Sequence, residues 1–125
     1  MTAMDMTSRS HPMRLDEQYF QTVQAGLKRT EIRVADPKRL QVKVGDRIEF
    51  TCMSTGETVA VTVTRLARYA SFDALYEAED ASAVNPRLPA ADQIAGLREL
   101  YPPEKEALGV LAIGIALTGS TRKQR

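Results

Sequence analysis

The fold class that the sequence predicts is α+β: one domain built round a mixed β-barrel of about five to six strands, with two or three helices between them. Three observations predict it. A chain of 125 residues is long enough for one hydrophobic core and short for two. Runs with apolar, often β-branched residues at every second position recur along it, the mark of strands with one buried face. Between these runs lie stretches with apolar residues three and four apart, but without the regular strand and helix alternation of a parallel sheet.

Taken in order, Met13 and Leu15 alternate with Pro12 and Arg14 and predict a short opening strand. Asp16 is placed to cap a helix whose apolar side is Tyr19, Phe20, Val23 and Leu27, and Gly26 is placed to end it in the left-handed conformation. Thr30, Ile32 and Val34 alternate with Glu31 and Arg33, so the next strand has one buried face and one charged face. Asp36-Pro37 opens a loop, Val42 and Val44 anchor the chain again, and Gly45-Asp46 turns it into a strand holding Ile48, Phe50 and Cys52. Across Ser54-Thr55-Gly56, the alternation of Val59, Val61 and Val63 completes a β-hairpin.

Ser71 caps a short helix carrying Phe72 and Leu75, and the acidic, proline-punctuated stretch from Glu77 to Pro89 reads as a loop. A further helix carries Ile94, Leu97 and Tyr101 until Pro102-Pro103 stops it, and Glu104 to Ala107 adds a turn. The last strand places Leu111, Ile113, Ile115 and Leu117 on one face and the small Ala112, Gly114 and Ala116 on the other, a pattern suited to the inside of a sheet.

Composition narrows the class of function. No apolar run reaches the roughly 18 to 20 residues that span a bilayer, so no membrane partner is expected. The opening MTAMDMTSRSHP has no apolar core after a basic start and does not read as a secretory signal. Residues 1–11 are expected to be a disordered tail, 12–117 the domain and 118–125 a basic, solubilising tail with Arg122, Lys123 and Arg125. One cysteine, Cys52, makes no internal disulfide, and with His11 the one histidine no Cys/His metal cluster can form. The expectations are a reducing cytoplasm, no metal and no cofactor, with Cys52 a small buried hydrophobe rather than a reactive thiol.

The net charge of +1 argues against coating nucleic acid by bulk electrostatics. Its distribution is uneven. From Lys28 to Glu49 seven basic residues meet four acids, whereas from Asp73 to Glu106 eight acids meet three basic residues. If folding keeps these segments apart, one face suits a small anion or a short stretch of RNA.

The segment richest in chemistry is Gly26-Leu27-Lys28-Arg29-Thr30-Glu31-Ile32-Arg33. A guanidinium offers a planar fork for phosphate or a base edge, an ammonium a mobile point charge, and a carboxylate accepts from an exocyclic amine. Lys28 is expected at the lip of the barrel, with Glu31 and Arg33 sharing a strand face. The alternative is that Glu31 and Arg33 pair with neighbours on a solvated face and Lys28 meets only water.

The order of Tyr19-Phe20, Val23, this G-x-K-x-x-E-x-R segment, Val44-Gly45-Asp46 and Ile48-Glu49-Phe50 resembles the ASCH family. The likeness continues through Arg68-Tyr69-Ala70-Ser71-Phe72, Leu100-Tyr101-Pro102-Pro103-Glu104-Lys105-Glu106 and Gly109-Val110-Leu111-Ala112-Ile113. It implies a PUA-like β-barrel and an RNA or nucleotide ligand, with Lys28, Glu31, Arg33, Tyr69 and Tyr101 the candidate contacts. Some ASCH-like proteins are amidohydrolases of N4-acylated cytidine that use a lysine, a threonine three residues later and a downstream glutamate. Lys28 matches the lysine, Glu31 stands where the threonine would be, and Glu77, Glu79 and Asp80 lie near the downstream acid. Amide hydrolysis by this chain would make Glu31 the base and Lys28 the oxyanion stabiliser. Other relatives are connected with RNA cleavage, for which Lys28, Glu31 and Tyr69 or Tyr101 are the available groups.

Overall fold

The computed structural model describes residues 8–118. The expectations for residues 1–7 and 119–125 of the two tails lie outside the described residues. Five strands, β1 (Ser10–Leu15), β2 (Thr30–Val34), β3 (Arg47–Cys52), β4 (Thr58–Tyr69) and β5 (Val110–Leu117), make one sheet in the order β1-β3-β4-β5-β2. β1 runs parallel to β3 and the other pairs are antiparallel. The sheet curls into a half-barrel, consistent with the PUA-like fold. Its helices are α1 (Glu17–Gln24), α2 (Phe72–Ala78), α3 (Ala81–Val84), α4 (Ala90–Leu100) and α5 (Pro103–Glu106), with a 3₁₀ turn at Arg39–Gln41.

The alternation read from the sequence sorts side chains onto the two faces. Met13, Leu15, Ile48, Phe50, Val61, Val63, Leu111, Ile113 and Ile115 point to the inner face, where Phe20 and Val23 of α1 plug the barrel. Ile32, Val34, Val110 and Ala112 point outward and are covered by Phe72 and Leu75 of α2, Val84 of α3 and Leu97 of α4. Phe20, Phe50 and Phe72 are 1%, 0% and 0% exposed, and each buried side chain of this size contributes ~1.5–3 kcal/mol.

The end of α1 sets the start of the site. Gly26 takes φ 76°, its N–H donates to the Val23 carbonyl, and the N–H groups of Leu27 and Lys28 both donate to the Thr22 carbonyl. This left-handed termination throws the chain sharply out of the helix into β2.

Several expectations are corrected. β1 begins at Ser10, so His11 is a strand residue and not part of a tail. Its Nε2 is 2.7 Å from the Asp46 carboxylate, which also accepts from the Lys43 and Arg9 peptide N–H groups. Leu27 leaves the helix and is 50% exposed, because α1 ends two residues before Gly26. Val44 is 60% exposed and only Val42 anchors that loop. The stretch from Glu77 to Pro89 is not one loop, since Asp80 caps α3 by accepting from the Ser82 N–H and Ala83 and Val84 are buried. The charged face of β2 is not open either, because it is the inner face, where Glu31 lies beside Ile113 and Arg33 beside Leu111.

Candidate functional site

Lys28, Glu31 and Arg33 converge, but in the interior rather than at the barrel's lip. Lys28 and Glu31 are 5% and 4% exposed. One carboxylate oxygen of Glu31 is 3.4 Å from the Lys28 ammonium, and the other accepts from Arg33 Nε at 2.5 Å. Lys28 also donates to the Val84 carbonyl of α3 at 3.0 Å and lies 5.5 Å from the centre of the Tyr19 ring. Arg33 Nη2 donates to the Arg14 carbonyl of β1 at 3.1 Å. Since β1 and β2 are the two outer strands of the sheet, this bond spans the seam that the backbone leaves unpaired. One carboxylate therefore ties β2 to α1, α3 and β1.

Electrostatics keeps Glu31 and Arg33 charged. Burial works to raise the Glu31 pKa, but the charges of Arg33 and Lys28 and their hydrogen bonds outweigh it and hold the group below the usual carboxylate range. Burial likewise disfavours the Arg33 cation and Glu31 reverses the effect. With both oxygens engaged and the proton held off, Glu31 is poorly placed to take a proton from a substrate.

The two tyrosines separate. Tyr101 follows α4, stacks at a tilt on Phe72 with centroids 6.1 Å apart, and feels the Arg33 charge. Tyr69 lies on the outer face and donates to Glu79 at 2.6 Å, away from the triad. Glu79 in turn receives both terminal nitrogens of Arg65. That fork holds Glu79 below the usual carboxylate range and its hydrogen bond pushes Tyr69 up.

A large cavity, about 560 Å³, is walled by Gly26, Lys28, Arg29 and Thr30 on one side and by Thr64, Arg65, Glu79 and Asp80 on the other. Glu31, Arg33, Tyr69 and Tyr101 do not line it. Its floor reaches Gly114, where an added Cβ would stand 2.7 Å from Thr64 Oγ1. This close approach sits at the register shift between Val63 and Arg65, a bulge in β4. Thr64 and Arg65 were not among the residues picked from the sequence. The signal for them is faint: the valine alternation breaks at that point and a lone glycine interrupts β5. Among the described residues no group of three or more His, Cys, Asp or Glu could hold a metal ion, and no helix is long and apolar enough to cross a membrane.

A family model of the ASCH domain matches residues 13–119. Among solved structures, the chain is similar to hypothetical protein PH0355, with 33% identity, a TM-score of 0.78 and coverage of 87% of this chain and 99% of that one. It is similar to protein PF0455 from Pyrococcus furiosus, with 33% identity, a TM-score of 0.70 and coverage of 86% and 96%. The ASCH protein from Zymomonas mobilis matches at 12% identity and a TM-score of 0.63, over 86% of this chain and 66% of that one, a likeness of fold alone. No curated protein matches.

Proposed function

The chain belongs to the ASCH domain family of the PUA-like superfamily, and from that premise we propose that it binds a nucleotide or a short stretch of RNA without turning it over and without a metal. One observation carries the reading. The larger cavity is walled by the first half of the G-x-K-x-x-E-x-R segment, and its volume of about 560 Å³ falls in the range of ~300–1,000 Å³ typical of small-molecule sites.

The walls suit such a ligand. Arg29 and Arg65 are 62% and 49% exposed at the side chain and face phosphate oxygens, with Arg65 pre-oriented by its fork on Glu79. Asp80, 65% exposed, accepts from an exocyclic amine, and Thr30 and Thr64 offer hydroxyls. Lys28 contributes to the wall, while Glu31 and Arg33 act from behind it, holding Lys28 and the strand in place. Tyr69 acts through Glu79. Tyr101, beside Arg33, meets only a ligand that extends past the cavity. The single cysteine makes a reducing cytoplasm the compartment of this proposal.

The amidohydrolase and ribonuclease readings draw less support, since both need Glu31 or Lys28 to exchange a proton and each is already held by buried partners. Titration with nucleotides and short RNAs at two salt concentrations tests the binding reading. Arg29→Ala and Arg65→Ala are each expected to lower the slope of log K against log salt by about 0.7. Absence of salt-sensitive binding, or binding indifferent to both changes and to Lys28→Ala, overturns it. Release of cytidine from N4-acetylcytidine that Glu31→Gln abolishes would put the hydrolase in its place, and metal-independent RNA cleavage lost with Lys28→Ala would put the ribonuclease there.

A further inference from the structure

At the other end of β5 the inner face carries a second, smaller cavity of about 240 Å³, separate from the one assigned to the nucleotide. Five of its seven lining residues are apolar and the other two are Arg39 and Arg68, which makes it a greasy hollow with a doubly cationic rim. The register explains how the arginines gather. Leu111 of β5 lies directly opposite Arg68 of β4 on one side and Arg33 of β2 on the other. Two strand spacings put the Arg68 and Arg33 backbones ~10 Å apart, with Leu111 as the floor between them.

Each arginine is poised in a different way. Arg68 donates to the Leu108 carbonyl at 2.9 Å and lies over Gly109, where an added Cβ would come within 3.1 Å of its Nε. The bare backbone at Gly109 thus seats this guanidinium. Arg39 starts the 3₁₀ turn, which its own peptide N–H fastens to Asp36 at 2.9 Å. Among the described residues, no hydrogen bond or ion pair satisfies the Arg39 guanidinium. It is half-buried, and burial together with the nearby Arg33 charge weakens its hold on its proton. A half-buried cation that feels the Arg33 charge, and whose neighbouring carboxylates are already engaged, Glu31 by Arg33 and Lys28 and Asp36 by the Arg39 peptide N–H, is an arrangement that a further anion relieves.

We propose that Arg39 and Arg68 clamp the carboxylate of a small organic acid whose apolar body rests on Val42, Leu66 and Leu111. The floor excludes a bare inorganic anion as the preferred ligand, because an oxyanion gains nothing from apolar contact. The planar forks of two arginines match a carboxylate edge on, which lysines would not.

Benzoate is the probe, titrated into isotope-labelled protein and followed by amide chemical shifts. Saturable shifts confined to the amides of Arg39, Leu66, Arg68 and Leu111 are expected. Arg39→Ala and Arg68→Ala are each expected to weaken benzoate at least tenfold, and Arg39→Lys to restore only part of the loss. Arg39→Gln, which keeps the aliphatic stem and a polar end at this half-buried turn residue, guards against a folding artefact and is expected to behave as Arg39→Ala. Benzyl alcohol binding as well as benzoate would show that charge is unused, and inorganic phosphate binding as well would show that the floor is unused. Either result, or benzoate affinity indifferent to Arg39 and Arg68, overturns the proposal. The titration contains no nucleotide or RNA, so it stands or falls apart from the nucleotide reading.

Discussion

Replacing Glu31 by glutamine removes one negative charge from a site where shape is otherwise kept. Glutamine is nearly isosteric, so the place beside Ile113 is preserved and the change is electrostatic. In its place the Lys28 ammonium keeps the Val84 carbonyl and the Tyr19 ring, and the Arg33 guanidinium keeps the Arg14 carbonyl and the influence of the Asp36 charge, but both lose the carboxylate that pairs with them. Removing one partner of a buried pair costs ~3–5 kcal/mol. The glutamine carbonyl still accepts from Arg33 Nε, which places the expected loss near the lower end, about 3 kcal/mol.

Out of a typical ~5–15 kcal/mol for a domain, that loss leaves the variant folded but lowers its melting temperature by about 10 °C for a chain of this size. Urea and thermal unfolding followed by circular dichroism read both quantities. A double-mutant cycle with Lys28→Met sharpens the test, because the pair is in contact and the double variant is expected to lose less than the sum of the singles by at least ~1 kcal/mol. A loss below ~1 kcal/mol for Glu31→Gln would refute the argument, since that is what an exposed ion pair gives.

Gly114→Ala drives a Cβ to 2.7 Å from Thr64 Oγ1 and 3.3 Å from the Arg65 N. Overpacking of this kind costs ~1–3 kcal/mol, and the displaced bulge is expected to weaken nucleotide binding at the same time; wild-type stability together with wild-type affinity would contradict the close contact. Asp46 contributes to stability in acid. Burial works to raise its pKa, but the hydrogen bonds from His11, Lys43 and Arg9 hold it below its ordinary value. Its contribution is therefore complete above the unfolded value of ~3.9 and is lost as pH falls through the lower folded value. His11→Ala, by raising that folded value, moves the acid-unfolding midpoint to higher pH, and an unchanged midpoint would show that the contact does no stabilising. Cys52, 1% exposed, is expected to react with a thiol reagent in native protein at least a hundredfold more slowly than in urea, and fast native labelling would contradict its burial.

The strands were legible because their signal is local. Ile48, Phe50 and Cys52, or Leu111, Ile113 and Ile115, declare a buried face by period two wherever the rest of the chain lies. The same rule fails on β2 for a definite reason. Period two says that Glu31 and Arg33 share a face, and it treats charge on that face as a sign of solvent. The face is in fact turned inward, with Lys28 held between the Val84 carbonyl and the Tyr19 ring and Arg33 reaching the Arg14 carbonyl, contacts that no local pattern encodes. What the sequence does contain is the neutralising set itself, a lysine three residues before the glutamate and an arginine two residues after it, placed so that one carboxylate meets both cations. His11 and Asp46 were harder still, being 35 residues apart and joined only by the parallel β1 and β3 pairing. The larger cavity draws on separate stretches around Lys28, Arg65, Asp80 and Gly114, so its walls become neighbours only when the sheet closes. The G-x-K-x-x-E-x-R segment thus serves two ends at once. Gly26, Lys28, Arg29 and Thr30 line a cavity, while Glu31 and Arg33 tie β2 to its surroundings and across the seam to β1.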